Sequence, residues 1–274
     1  MNLLTRDELF SIQQSIKIFY GRCFFLIHPE SLDVSLYQEY FRENGIGIRL
    51  IDFNDLFFRS TVSYSKLMLS NRFYKKFRDF DFILIYQTDA FAFEDKIDEW
   101  CAKGYSYVGA PWFKEFSPPH CTSELFLVGN GGFSLRRVSH CLKALNTFSV
   151  IFTLGYVWRT QLEKKGNSFI INLLTGVRRT IFGNNSFWLL NDFYRYNNEY
   201  DTFQEDYFWG VICKKNFSWF KVPEPIEALG FSFEVQPEIM YVQNKNQLPM
   251  GCHAWQKYNP DFWRPFFSKI GYEI

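Results

Sequence analysis

Short apolar runs alternate along the chain with segments whose apolar residues recur every three or four positions. The first periodic segment places Leu9, Ile12, Ile16 and Phe19 on one face, behind a cap at Thr5 or Asp7, and predicts an amphipathic helix. Residues 23–27 predict a short strand, ended by His28-Pro29-Glu30 because proline has no N–H for a ladder. Ser31 or Asp33 opens a second helix to about Arg42; Asn44-Gly45 stops it, and residues 46–51 predict another strand. Tyr64, Leu67, Met68, Asn71 and Tyr74 fall at helical spacing and predict one helix over residues 63–77.

The next apolar run, residues 82–86, has the length of a buried strand and leads to Gln87-Thr88-Asp89. A helix over 94–103 and a strand over 105–110 follow, then a polar loop over 113–123 with Pro118-Pro119. Residues 126–135 carry Gly129-Asn130-Gly131-Gly132 in their middle, and 138–145 are helical again. Residues 207–214 predict an aromatic helix, and a last short helix follows Pro260. The alternation predicts a single α/β domain over 1–274, with a mixed, mostly parallel central sheet flanked by helices. Between 148 and 200, apolar runs mix with Arg159, Lys164, Lys165, Arg178 and Arg179, which reads as a helical insertion. Those basic residues are either a solvated surface or a contact to an anionic membrane.

Composition narrows the class. Of the 274 residues, 47% are hydrophobic and 21% aromatic, which argues against disorder and for deep aromatic packing or an aromatic-lined cleft. A net charge of +1 gives no electrostatic case for a nucleic-acid partner. Six scattered cysteines form no C-x-x-C pair, which makes a zinc ribbon a poor reading. Cys23, Cys101 and Cys213 read as reduced core thiols, in keeping with a cytoplasmic location; no uncharged apolar stretch is long enough to span a membrane.

Four places carry candidate chemistry. Asp89 stands where the 82–86 strand would leave a sheet, the end at which α/β folds bind ligands. It serves either as a helix cap or as a ligand for a divalent cation on a diphosphate. The three glycines around Asn130 allow positive φ and close approach of a ligand, with Arg136 placed to meet an anion. Glu205-Asp206 sit at a helix start, which suits either the helix dipole or a general base. His253, in a loop rich in aromatics, is a structural histidine or a metal ligand.

Tyr86-Gln-Thr-Asp-Ala-Phe91, Trp100-Cys-Ala-Lys-Gly-Tyr-Ser-Tyr-Val-Gly-Ala-Pro-Trp112, Asn130-Gly-Gly-Phe-Ser-Leu-Arg136, Glu205-Asp-Tyr-Phe-Trp209 and Gly251-Cys-His-Ala-Trp255 occur in this order. Together they resemble a bacterial, glycosyltransferase-like family of unknown function, whose members often lie among surface-polysaccharide genes. The wider likeness is to metal-dependent sugar-nucleotide transferases of the GT-A fold. That resemblance implies Mn²⁺ or Mg²⁺ on Asp89 and His253, and Glu205 or Asp206 as the base of an inverting transfer. It further implies donor or sugar contacts from Gln87, Asp89, Asn130, Gly131, Gly132, Arg136, Trp112, Trp209 and Trp255. The partners implied are a nucleoside-diphosphate sugar and a glycan or lipid-linked glycan acceptor, with lipopolysaccharide O-antigen or capsule as product, in the cytoplasm or peripheral on the inner membrane face. Two features depart from the pattern. Gln87 stands where the first acid of D-x-D is usual, and the expected first nucleotide-binding strand has no counterpart ahead of the first helix. A catalytically inactive carbohydrate- or nucleotide-binding protein of the same fold is the alternative.

Overall fold

A computed structural model describes residues 4–114, 123–147 and 204–273. The expected insertion at 148–200 lies outside the described residues. Helix α1 (Arg6–Ile18) begins as its sequence dictates: the Thr5 hydroxyl accepts from the Glu8 amide at 3.2 Å, and the Glu8 carboxylate accepts from the Thr5 amide at 2.8 Å. Its inner face is pinned to the segment beyond Asp89. Ser11 donates to the Ala90 carbonyl at 2.7 Å and Gln14 to the Ala92 carbonyl at 2.8 Å.

Strand β1 (Phe24–Pro29) pairs in parallel with β2 (Ile48–Phe53), with α2 (Ser35–Glu43) as the crossover. β1 runs through His28 to Pro29, so the expected break falls at the strand's last residue, where a missing N–H is tolerated. The single helix expected over 63–77 is two, α3 (Thr61–Met68) and α4 (Asn71–Lys75). Ser70 interrupts it by accepting the Phe73 amide at 3.1 Å, the capping role that serine prefers to a helix interior.

The central run forms β3 (Phe82–Tyr86). After β4 (Phe91–Ala92) and α5 (Ile97–Ala102) come β5 (Tyr107–Val108), β6 (Pro111–Phe113), β7 (Leu125–Val128), β8 (Phe133–Arg137) and α6 (Val138–Asn146). Here the expectation of a mostly parallel sheet is corrected. β3, β8 and β5 form a three-stranded sheet that is antiparallel throughout, and β6–β7 is antiparallel as well. Parallel pairing among the described residues occurs at β1–β2 and at β9 (Ser232–Phe233) with β10 (Gly251–Cys252). In both places a helix supplies the crossover that parallel strands need, α2 in the first and Pro237–Gln243 in the second. The described chain is thus mixed α/β with several small sheets.

Aromatic residues fill the interior. One cluster packs Phe73, Tyr74, Tyr107 and Trp209; a second packs Phe91, Trp255, Trp263 and Phe267, with Phe91 stacked on Phe267 at 4.1 Å. The described cysteines are all free; Cys213 is in the core as expected, but Cys23 is exposed at the foot of β1. No helix among the described residues is long and apolar enough to cross a membrane.

Candidate active site

Strand register gathers the site. The ladder of β3 on β8 continues one rung past Tyr86, where the Gln87 amide donates to the Gly132 carbonyl at 2.8 Å. A tight turn closes when the Ala90 amide donates to the Gln87 carbonyl at 2.9 Å, and Asp89 stands at its outer corner. β4 then pairs antiparallel with β10, Cys252 opposite Phe91, so His253 emerges beside Asp89. β10 is parallel to β9, Cys252 opposite Phe233, so Glu234 emerges beside His253.

The His253 ring is held on both nitrogens. Nδ1 lies 3.0 Å from Glu234 Oε1; Nε2 lies 3.2 Å from Asp89 Oδ1 and 3.1 Å from Gln87 Oε1. The Tyr64 side chain also lies beside the Gln87 amide. Burial opposes the charged imidazole, but the hydrogen bonds and charges of Asp89 and Glu234 outweigh it and raise His253 to about 10. Burial likewise opposes ionisation of Asp89, yet the bond to His253 holds its carboxyl below the usual value. Asp89 remains reachable, with a side chain 44% exposed.

Gly131 and Gly132 stand between two acid–base pairs. A Cβ on Gly132 would lie 2.0 Å from His253 Nε2, and a Cβ on Gly131 would lie 2.0 Å from Glu205 Oε1. Space, not positive φ, is therefore what these glycines supply. The left-handed residue of the turn is Asn130, at φ 67°, whose side-chain oxygen accepts the Gly132 amide at 3.0 Å. Asn130 is buried, and its carbonyl accepts the Tyr107 hydroxyl at 2.8 Å.

Beyond Gly131, the Arg136 guanidinium is wholly enclosed. It donates to Ser134 Oγ at 3.0 Å, the Tyr74 hydroxyl at 3.0 Å, the Gly131 carbonyl at 3.2 Å and Glu205 Oε1 at 2.8 Å. The anion that Arg136 meets is thus Glu205, and the expected contact from Arg136 to a donor is corrected: its side chain is 0% exposed. The expected sugar stacking by Trp209 and Trp255 is corrected too, since both rings are in the core, whereas Trp112 on β6 is only half-buried.

Glu205 and Asp206 begin a short helical turn, Glu205–Tyr207, that continues as the π-helix Phe208–Cys213. Adjacent in sequence, they differ in state. Glu205 is bound to Arg136. Burial first, then the charges of Glu205 and Glu234, push the Asp206 carboxyl up to about 7. Asp89 and Glu234 thus flank the imidazole and Glu205 binds the guanidinium, while Asp206 is near enough to Glu205, Glu234 and Arg136 to feel their charges.

The donor set around Asp89 fits a hard divalent cation. Such a cation takes carboxylate and amide oxygens and an imidazole nitrogen as donors. Three such atoms converge here: His253 Nε2 is 3.2 Å from Asp89 Oδ1 and 3.1 Å from Gln87 Oε1. The third donor is an amide oxygen; among the described residues no three His, Cys, Asp or Glu side chains converge as a metal cluster. Cys252 lies in the core, where burial drives its thiol far up, so it packs and does not ligate.

A family model described as a protein of unknown function, DUF5672, matches residues 47–253, most of the chain. The chain belongs to the DUF5672 family. The matched span holds every residue of this DUF5672 site, from Tyr64 to His253. No curated protein matches the sequence. Among solved structures, the DUF5672 chain is similar to a glycosyltransferase involved in the glycosylation of the major capsid of PBCV-1, at 10% identity over 85% of this chain and 93% of that one, with a TM-score of 0.35. It is also similar to A197 from STIV, at 18% identity over 42% of this chain and 65% of that one, with a TM-score of 0.26. Likenesses so distant decide neither fold nor function.

Two members of the DUF5672 site, Glu234 and Tyr64, are missing from the sequence reading. Glu234 was legible as an acid inside an alternating run, Phe231-Ser-Phe-Glu-Val235; Tyr64 was hidden among the apolar positions of its helix.

Proposed function

We propose that this chain is a glycosyltransferase, moving a sugar from a nucleoside diphosphate to a hydroxyl of a bacterial surface glycan. One observation carries the reading: Asp89, Gln87 and His253 meet on one side of a glycine pair whose other side faces Glu205, the sequence neighbour of a carboxyl pushed up to about 7, Asp206. A proton acceptor works best with a pKa near the working pH, and Asp206 meets that condition while Glu205 is committed to Arg136.

Asp206 takes the proton of the acceptor hydroxyl. The acceptor oxygen bonds to the anomeric carbon as the bond from that carbon to the diphosphate oxygen breaks, and the electron pair leaves with the diphosphate. Asp89, His253 and Gln87 would hold a Mn²⁺ or Mg²⁺ ion, which when bound offsets the charge gathering on the leaving group. Attack opposite the leaving group inverts the anomeric centre. Trp112, half-buried on β6, is the tryptophan of the expected set that keeps part of its surface exposed for a sugar face.

The test is nucleoside-diphosphate release from a panel of sugar donors with short glycan acceptors. Asp206→Asn and Asp89→Ala should each lower turnover ~100- to 10,000-fold. Full release by both variants would sink the reading, and NMR of the product's anomeric centre checks inversion. Liposome flotation with and without anionic lipid checks the membrane-peripheral location.

A further inference from the structure

Three acceptor-type atoms meet beside Asp89: its Oδ1, Gln87 Oε1 and His253 Nε2. Two oxygens of this kind do not bond to one another, and the nitrogen joins them only through a proton of its own or a shared cation. Which nitrogen of an imidazole keeps its proton is set by the partner of the other one. Here that partner is Glu234, 3.0 Å from Nδ1 and delivered by the parallel pairing of β9 and β10. A carboxylate on Nδ1 holds a proton there, so that a cation displacing the Nε2 proton would meet a lone pair facing Asp89 and Gln87.

Gln87 has its own brace. Its amide is fixed at one end by His253 and lies beside the Tyr64 side chain, on α3. Its backbone is fixed as well, through the rung to Gly132. The amide oxygen is thus aimed at the same point as the other two donors. Gly132 completes the cradle, because any side chain there would occupy the place of the His253 ring.

We propose that Glu234 and Tyr64 are positioning residues of a three-donor divalent-cation site made by Asp89, His253 and Gln87, which retains its cation chiefly together with a diphosphate. The inference rests on the cation-and-diphosphate reading above. Only one of the three donors is charged, so a bound divalent cation keeps a net positive charge on its open side. That charge is satisfied by diphosphate oxygens, which makes cation and diphosphate bind as a pair.

Equilibrium dialysis of the full chain against Mn²⁺, with and without inorganic diphosphate, reads this directly and needs no donor sugar or acceptor. Wild-type protein should hold Mn²⁺ about tenfold more tightly with diphosphate present. Glu234→Ala should weaken that binding ~10- to 100-fold. Glu234→Gln, whose amide oxygen still accepts from Nδ1–H, should recover most of it; a purely structural glutamate would instead lose binding and thermal stability alike in both variants. Tyr64→Phe removes a single oxygen and should cost about fivefold. Wild-type affinity in a folded Glu234→Ala protein, or equal loss in the Ala and Gln variants, overturns the role of Glu234. Wild-type affinity in Tyr64→Phe overturns the brace on Gln87, and this variant decides the matter if Glu234→Ala does not fold. If wild-type protein itself retains no Mn²⁺ under either condition, the cation reading falls and takes this inference with it; intact wild-type binding with indifferent variants sinks the positioning roles alone.

Discussion

The two flanks of Gly131–Gly132 start from similar parts, an acid and a base brought together from distant strands, and put them to opposite uses. On one flank Arg136 and Glu205 are sealed from solvent, and the guanidinium has protein partners on each of its three nitrogens. On the other, Asp89 is half exposed and one nitrogen of His253 faces two oxygens, Asp89 Oδ1 and Gln87 Oε1. The first arrangement is closed to a ligand and holds the turn; the second is open to one. The residue type alone does not separate them, since Glu205 and Asp206 are neighbours, both buried, and the direct bond to Arg136 marks one of them off.

The sharpest break in this comparison is Arg136→Met. It leaves Glu205 as an uncompensated buried charge and should cost about 3–5 kcal/mol in denaturant unfolding. Asp89→Asn alters a pair whose carboxylate is 44% exposed and should cost less, about 1 kcal/mol. Similar costs for the two would mean that the flanks are not divided into structural and functional halves.

The next effect concerns Asp206. Its carboxyl keeps a proton in the fold up to about 7, against 3.8 for the free group. The folded state therefore binds the extra proton between those values, and this group's contribution to stability falls as pH rises through that window. Asp206→Asn removes the penalty. Relative to wild type, the variant should gain up to about 4 kcal/mol at pH 8 and little at pH 4, read by urea titration at each pH. A pH-independent difference would mean that Asp206 does not titrate in this window. A stabilised but inactive variant would mark Asp206 as a residue kept for chemistry at the expense of the fold.

Much of this was legible in the sequence, and the failures have specific causes. The β3 run was bounded correctly because five apolar residues between polar ones leave little choice. A helix start at Thr5 or Asp7 was legible because capping is local, and the capping box of the structure decides for Thr5. Strand direction was not, because it depends on which segments make true crossovers, and a six-residue helix such as α5 reads like a longer one. Asp89 and His253 were legible as candidates, yet their approach depends on the β4–β10–β9 register, which two-residue strands do not announce. The fates of Arg136, Trp209 and Trp255 were misread for one reason: nothing local tells a buried cation or indole from one lining a cleft.

The glycine pair offers the finest test, because one methyl group can be placed on either flank. In Gly131→Ala the new Cβ overlaps Glu205 Oε1, and the overlap falls inside a packed network with Arg136 held on every side. The network must shift as a unit, so the substitution should cost about 1–3 kcal/mol of stability. In Gly132→Ala the Cβ overlaps His253 Nε2, at the end of a side chain that borders the open side. The imidazole can swing outward, which relieves the overlap but takes Nε2 away from Asp89 and Gln87. Gly132→Ala should therefore lose Mn²⁺ retention with a smaller loss of stability, and Gly131→Ala should lose stability while keeping more of its Mn²⁺ retention. Thermal melts and Mn²⁺ dialysis on the two variants separate the cases. If both lose stability and cation binding in equal proportion, the glycines are one steric unit and the division between the flanks does not hold.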